Sequence, residues 1–424
     1  MATISLATPA TRHTFFAASL LRNLGRWQRY VQQHQADPVA LEQEIGCIVK
    51  ALTFALKTDG LSRPAWSLMV SLIVDFSPYM ERGGHWETWN AILAQAIHIA
   101  QRLEATADEV TLANLYARLL RRQSRYPAAV RQFRRTIRLA RQVGDSFNEA
   151  RACTNLGYHY VEQGQWLRAE VLCLQALQLF QRLDSDYGLA HTYNHLGVLY
   201  LRRGLYDQAE TYFECTRQLW RKLDDAYNLM ICLLNLSTIY NEQTLSEKAI
   251  PLLEKAIDLA NHLQDQVYLA TLYHNLGNAY LLKDEVPVAQ TYYQRAEAHF
   301  QHLGDQQGIA MVWNGLGLVC LCQGQLAAAT GYFEHALHTW RKLTNRLGEI
   351  YSLTYLAEVE YAKGNTPGAS CYSNQAQTLL GSDKRQVWYT SLQARLQKLR
   401  RNWQTQGANQ LRLDTSVSPS EKSR

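Results

Sequence analysis

Asn155, His195, Asn235 and Asn275 stand at successive intervals of 40 residues. A primary amide donates through its NH2 group and accepts through its oxygen at the same time. A row of such groups along one surface can pair with the N–H and C=O groups of an extended peptide without reading its side chains. The plainer alternative is that Asn155, Asn235 and Asn275 belong to a duplicated unit and hydrogen-bond across the turn of their own helix. The row breaks at Gly315 and Tyr355, which centres any backbone capture on the middle of the chain.

Two further groupings invite a chemical reading. His191 and His195 have the i, i+4 spacing of two metal ligands on a helix, but no third ligand stands at a recognisable interval and H-E-x-x-H is absent. A groove-facing pair that binds a peptide, or a solvated pair, is the better expectation, and His335 and His338 offer less. Residues 118–141 carry nine arginines and no acid, and residues 384–424 carry nine basic and two acidic groups. Against a net charge of +6, this leaves about −10 on the remainder, so the chain is polarised into two basic zones and an acidic body. A nucleic-acid-linked regulator would use the zones 118–141 and 384–401. Interleaved aromatics, a recognised reading motif and a groove-sized helix are all missing, which favours a solvated face or an acidic protein partner. Catalysis needs a nucleophile with its base, or paired carboxylates in a pocket. Neither is evident, so no enzyme, cofactor, metal or small-molecule substrate is expected.

These residues are placed by a repeat. Ala129, Ala169, Ala209, Ala249, Ala289, Ala329 and Ala369 recur every 40 residues without insertion or deletion. A parallel column reads Tyr116, Leu156, Leu196, Leu236, Leu276, Leu316 and Leu356, and a small residue always follows it. Such self-similarity marks a solenoid of one duplicated unit. Within residues 150–189, Cys153, Leu156, Gly157 and Tyr160 form one helical stripe, and Ala169, Cys173, Ala176 and Phe180 form a second. Gly164 lies between them, suited to the left-handed conformation that ends a helix. The same slot holds Gly84, Gly204, Gly324 and Gly364, with Ser124, Thr244 and Asp284 elsewhere. Each unit is therefore read as helix, tight turn, helix, with close backbone approach at Gly157 and Ala169.

This pattern resembles the tetratricopeptide repeat: a large residue at position 4, Leu-Gly at 7 and 8, Tyr at 11, and Ala at 20 and 27, counting residue 150 as position 1. The resemblance covers seven repeats over residues 110–389, with a degenerate copy at 70–109 that keeps Gly84 and Ala96 but has Trp89 in place of the alanine. The period exceeds the usual one by six residues and the closing proline is absent. Long variants of this kind resemble the bacterial maltose-regulator type, the Rap phosphatases, kinesin light chain and LGN-like scaffolds. The joints Val143–Asp145 and Leu303–Asp305 agree with that. Residues 1–69 fall outside the repeat, and the sequence from the helix over Val39 to Lys57 into Trp66 and Tyr79–Trp86 resembles the helical stretch that precedes repeats in STAND-type signalling ATPases. No G-x-x-x-x-G-K-[ST] occurs, so ATP hydrolysis is not carried over.

The resemblance implies an all-α, right-handed superhelical solenoid whose concave groove is lined by positions 2, 6, 9 and 13 of each first helix. Those positions give Arg118 and Arg122, then Arg151, Asn155, Tyr158 and Glu162, then His191, His195 and Arg202. Asn235, Thr238 and Glu242 follow, then Thr271, Asn275 and Asn278, then Met311, Leu318 and Cys322, and Tyr351, Tyr355 and Glu358. In peptide-binding relatives, asparagines at position 6 hold the peptide backbone. A matching ligand would be acidic toward the arginine end and apolar toward the tyrosine end.

The ends and composition complete the expectation. Phe15 to Val31 and Val39 to Lys57 read as two helices of an N-terminal extension, the second opening after Asp37-Pro38. A capping helix over 390–406, continuing from about 384, carries Val387, Leu392, Leu396, Leu399 and Trp403 on one face. The polar, Ser-rich residues 407–424 read as disordered. No apolar run long enough to span a membrane and no secretory signal are evident. Cys153, Cys173 and Cys320 occupy core positions, which points to a reducing, cytoplasmic setting. The reading is a non-enzymatic protein-interaction scaffold or sensor for a peptide or protein segment, in signalling or regulation. The nucleic-acid-linked regulator and an assembly factor for a multi-subunit complex stand as alternatives.

Overall fold

Two backbone reversals in every 40 residues turn the periodic sequence into helical hairpins. The computed structural model describes residues 9–35, 37–381, 393 and 395–397. Among them are eighteen α-helices. Three precede the repeats or open them: α1 (Pro9–Gln33), α2 (Pro38–Leu56) and α3 (Arg63–Arg82). The hairpins continue as α4 (Trp86–Arg102), α5 (Thr106–Arg122), α6 (Tyr126–Val143), α7 (Ser146–Glu162), α8 (Trp166–Arg182), α9 (Asp186–Arg202), α10 (Tyr206–Lys222) and α11 (Ala226–Glu242). The remainder are α12 (Ser246–His262), α13 (Gln266–Leu282), α14 (Val286–Leu303), α15 (Gln306–Cys322), α16 (Leu326–Lys342), α17 (Arg346–Ala362) and α18 (Thr366–Leu380). The expected capping helix falls outside the described residues except for 393 and 395–397, and the expected tail falls outside them altogether.

The turn inside each hairpin lies where the sequence placed it. Gly164 has φ +67°, and the residues in its slot without glycine, Ser124, Thr244 and Asp284, take the same left-handed conformation at +58°, +60° and +64°. The joint between hairpins is a second left-handed position, announced by glycine only at Gly144 and Gly304. Glu104, Asp184, Asp224, Gln264 and Thr344 adopt it at φ between +49° and +53°, a conformation that disfavours any side chain. At the joints other than Glu104, where Ala105 follows, the next residue then caps the following helix. Asp225 accepts from the Asn228 amide at 2.9 Å, Asp265 from Tyr268 at 3.0 Å and Asn345 from Gly348 at 3.0 Å. Each cap satisfies one of the N–H groups that a helix start leaves open.

Packing follows the two stripes. All seven alanines of the 40-residue column are fully buried. A Cβ added to Gly317 would stand 2.4 Å from the Phe333 ring, and one added to Gly157 would stand 2.7 Å from Cys173 Sγ and 3.3 Å from the Ala169 carbonyl. α3 starts at Arg63, before the degenerate copy expected at 70–109, and packs on α1 as well as on α4. There Trp89 is fully buried edge-on against Phe76 and donates from Nε1 to Ser77 Oγ at 3.2 Å. Helix α1 begins before the expected span, and α2 starts at Pro38, with Asp37 accepting from the Ala40 amide at 3.0 Å. The chain divides into two compact units, Met1–His195 and Leu196–Arg424. Within each, successive hairpins pack on their neighbours.

Adjacent joint residues should respond in opposite directions. Asp265→Ala should cost about 1 kcal/mol through the lost cap. Gln264→Gly should gain up to about 1 kcal/mol by relieving the left-handed side chain. Urea denaturation of the two variants beside the parent chain measures both.

Candidate functional site

The first helices carry the candidate residues, and each unit presents its own set. In the unit Met1–His195, Arg118 donates through Nε and Nη2 to the Glu81 carboxylate at 2.8 and 2.7 Å, and Arg122 Nε lies 3.3 Å from the same group. Glu81, from the end of α3, is 2% exposed. Burial works against the Arg118 charge, but the charge and hydrogen bonds of Glu81 outweigh it and leave the guanidinium pKa raised. The positive charge expected here for a ligand is thus largely answered from within the chain.

Arg151 is not so answered. It lies 5.9 Å over the Phe147 ring, is half-buried, and forms no ion pair among the described residues. Burial and, next, the charge of Arg118 pull its pKa down to about 10. The group stays protonated at neutral pH, in a setting that penalises the charge.

Asn155 is half-buried, with Nδ2 3.5 Å from Asn114 Oδ1. Tyr158 stacks on His195 at 4.5 Å and lies 4.9 Å beneath Arg121, which pairs with Glu162 at 2.9 Å. His195 is half-buried, as are the asparagines of its column. Its ring hydrogen-bonds the Thr154 backbone, its Nδ1 is buried without a partner, and burial drives its pKa down to about 3. His191 is half-buried and meets Tyr187 edge-on at 4.6 Å.

In the unit Leu196–Arg424, Arg202, Asn235, Thr238, Asn275, Asn278 and Tyr351 are all half-buried. Asn275 Nδ2 donates to the Thr271 carbonyl of its own helix at 2.9 Å, the across-the-turn bond of the plainer alternative. One N–H and the oxygen of that amide remain for other partners. Thr238 likewise donates back to the Leu234 carbonyl at 2.9 Å, and Asn278 accepts from the Tyr293 hydroxyl at 2.6 Å. Tyr355 is drawn away from the surface. It is 9% exposed, stacks on Phe333 at 5.2 Å and is covered by Arg395 at 4.9 Å, which itself pairs with Glu358. The apolar end therefore consists of Tyr351 with the half-buried Met311 and Leu318.

One row went unnoticed in the sequence. Position 5 reads Asn114, Thr154, Asn194, Leu234, His274, Asn314 and Thr354, polar in every repeat but one. These groups bond to the next first helix: Thr154 to Thr192 at 3.1 Å, Asn314 from Ser352 at 3.0 Å, and His274 to the Met311 backbone. The polarity of that column beside buried neighbours was the available signal. His274 is nearly enclosed, with a buried, unpartnered Nδ1, and burial lowers its pKa to about 4.

Reactive groups are muted. Burial pushes the Cys153, Cys173 and Cys232 thiols up to about 12, far from nucleophilic thiolates. Among the described residues no cluster of three or more His, Cys, Asp or Glu side chains could hold a metal ion, and no helix is long and apolar enough to cross a membrane.

The tetratricopeptide-repeat profile matches residues 148–222, 188–262, 229–302, 268–337 and 308–381, which together span more than half the chain. The chain belongs to the tetratricopeptide-repeat family. Solved structures agree on the fold. The apo quorum sensor NprR from B. thuringiensis is 15% identical with a TM-score of 0.58, over 85% of this chain and 98% of that one. Aspartyl phosphate phosphatase F from Bacillus subtilis is 14% identical with a TM-score of 0.56, over 85% and 94%. A Rap protein complexed with competence and sporulation factor is 14% identical with a TM-score of 0.55, over 80% and 99%. A comparison with curated proteins gives no match.

Two predictions follow from the electrostatics of this repeat protein. Arg118→Ala strands a buried carboxylate that Arg122 only partly satisfies, and should cost about 3 kcal/mol. Arg151→Met should cost little or even stabilise, because it removes a charge that the chain does not pair. Denaturant titration of both variants checks the contrast.

Two histidines set an acid limb. In the unfolded chain they take up a proton near pH 6.5, but in the fold His195 does so only at about 3 and His274 at about 4. Stability should therefore fall as the pH drops below about 6.5, by up to about 1.4 kcal/mol per unit for each ring. His274→Asn, which copies Asn114 and Asn314, should flatten that slope between pH 7 and pH 5 in denaturant melts.

Proposed function

We propose that this chain is a non-enzymatic interaction scaffold, or a sensor, whose first-helix faces capture an extended peptide or protein segment. The observation that carries the reading is the set of half-buried amides at position 6. Asn155 and Asn275 are each anchored by one internal hydrogen bond, to Asn114 and to Thr271. Anchoring fixes the amide before a ligand arrives, and so lowers the entropy that binding costs. The remaining N–H and oxygen suit a peptide group, which offers one acceptor and one donor per residue.

Arg151 supports a ligand with an anionic group in the first unit, since it is the arginine of that face left without an ionic partner. Tyr351, Met311 and Leu318 support an apolar contact in the second. The fold likeness to a Rap protein complexed with competence and sporulation factor, and to the quorum sensor NprR, supports peptide sensing as the use. Signalling or regulation is the setting that fits.

Peptides selected by display on the intact chain provide the test. Asn235→Ala combined with Asn275→Ala should weaken their binding by about 1–3 kcal/mol, roughly fivefold to a hundredfold in Kd, with unchanged thermal unfolding. Methylating the peptide's backbone nitrogens should reproduce the loss. Affinity that is indifferent to both changes would remove the amide-capture reading.

A further inference from the structure

The second helices carry a feature that capture on the first helices does not use. Leu167, Val171 and Leu174 on α8 are 78%, 64% and 39% exposed. Their spacing puts them on one stripe of the helix, about 10 Å long. The equivalent positions hold Asp207, Thr211 and Glu214 in the next repeat, and Glu247, Pro251 and Glu254 in the one after. The repeat pattern therefore does not require apolar residues there. Grouped apolar exposure of this kind marks an interaction surface more often than scattered single residues do.

Leu167 and Val171 border a groove of about 980 Å³ between α6 and α8, floored by Ile137, Leu156 and Leu172. Arginines of α6 form its opposite wall. Arg135 and Arg141 on that helix are paired with Glu109 and Glu149, whereas Arg131 and Arg138 have no ionic partner among the described residues. Arg134 meets only the neutral Tyr160 hydroxyl, at 3.0 Å.

These facts narrow the occupant. The walls are helices whose backbone groups are already bonded internally, so an extended strand would find nothing to pair with. A partner helix satisfies its own backbone and can seat side chains at i, i+4 and i+7 in such a groove. The unpaired arginines select acidic flanks. The chain's own residues 384–424, with nine basic and two acidic groups, have the wrong sign. Nucleic acid fits poorly, because the floor is aliphatic and the one ring, Tyr160, already has Arg168 over it at 5.9 Å.

We propose that the α6–α8 groove docks an acidic amphipathic helix of a partner protein, with its apolar side chains on Leu167 and Val171 and its carboxylates facing Arg131 and Arg138. This site is independent of the first-helix faces. The probe is a side-chain-stapled peptide of about five helical turns with a leucine stripe flanked by glutamates, titrated against the full chain by fluorescence anisotropy. It should bind about tenfold or more tightly than its lysine-flanked counterpart. Leu167→Asp with Val171→Asp should reduce that binding by about tenfold or more. Arg131→Glu with Arg138→Glu should reverse the preference between the two peptides. Asn235→Ala with Asn275→Ala should leave all of it unchanged.

The substituted side chains are exposed, so circular dichroism should be unaltered, and the arginine pair tests the idea separately should the aspartates disturb folding. Four results would overturn the proposal: no binding of the glutamate peptide, equal binding of the lysine peptide, binding indifferent to Leu167→Asp with Val171→Asp, or tighter binding of duplex DNA or phosphatidylserine vesicles that only the arginine changes abolish. Sedimentation of the parent chain as a dimer that Leu167→Asp with Val171→Asp dissociates would assign the groove to a second copy instead.

Discussion

The contact on which the array rests is that between a small residue at position 8 of each first helix and the side chain it meets on the second helix. Gly277 lies beneath the Tyr293 ring and Gly317 beneath Phe333, with a hypothetical Cβ only 2.8 and 2.4 Å from the ring carbons, and at Gly157 the neighbour is Cys173. At Gly277 and Gly317 hydrogen leaves room for the ring, and the small residue of the column keeps the crossing close where no ring stands. The side chain opposite, an aromatic group in four of the seven repeats, then fills the space between the helices. Because this contact recurs at 40-residue intervals, every first helix presents the same sequence positions to the same side. The candidate faces are a consequence of that register.

The turns show how unevenly such a fold can be read from its sequence. Inside the hairpins, glycines at most slots make the left-handed position legible, and Ser124, Thr244 and Asp284 follow by alignment. At the joints the same backbone conformation is occupied by Glu104, Asp184, Asp224, Gln264 and Thr344. No residue type announces it there. Its support comes from outside the residue itself: the cap at Asp225, Asp265 or Asn345 and the packing of the hairpins on either side. The signal was in the capping residue one place further on, which only the recurrence of Asp and Asn at that interval reveals.

The site was legible to the extent that Cβ direction determines it. Position 6 points the same way in every repeat, so Asn155, Asn235 and Asn275 share half-burial on their helices. Register does not decide where a longer side chain ends. His195 occupies the same column, but its ring reaches Tyr158 and the Thr154 backbone and is absorbed into the packing. Tyr355 occupies it too, and its ring reaches Phe333 and becomes core. Partners were harder still. The carboxylate that answers Arg118 belongs to Glu81, 37 residues earlier in the repeat with the weakest pattern, and nothing in the spacing chooses it over the other acids nearby.

What the fold does not explain is charge left without an answer. A buried ion pair such as Arg118–Glu81 roughly balances desolvation against attraction, so both partners have a structural reason to be charged. Arg151 bears the desolvation and the repulsion of Arg118 with no carboxylate in contact. Glu81 and Asp145 favour its charge without pairing with it, and its pKa stays lowered to about 10. On the outer helices, Arg131 and Arg138 are solvated and cost the fold little, but they stand beside an apolar stripe that the repeat does not need. Both features lie in the same unit, while the chain outside its two basic zones carries about −10. Such a field favours an acidic over a basic partner at the 118–141 zone. In the proposed reading, charge sets where a partner first lands, and the amide and apolar contacts determine what is held.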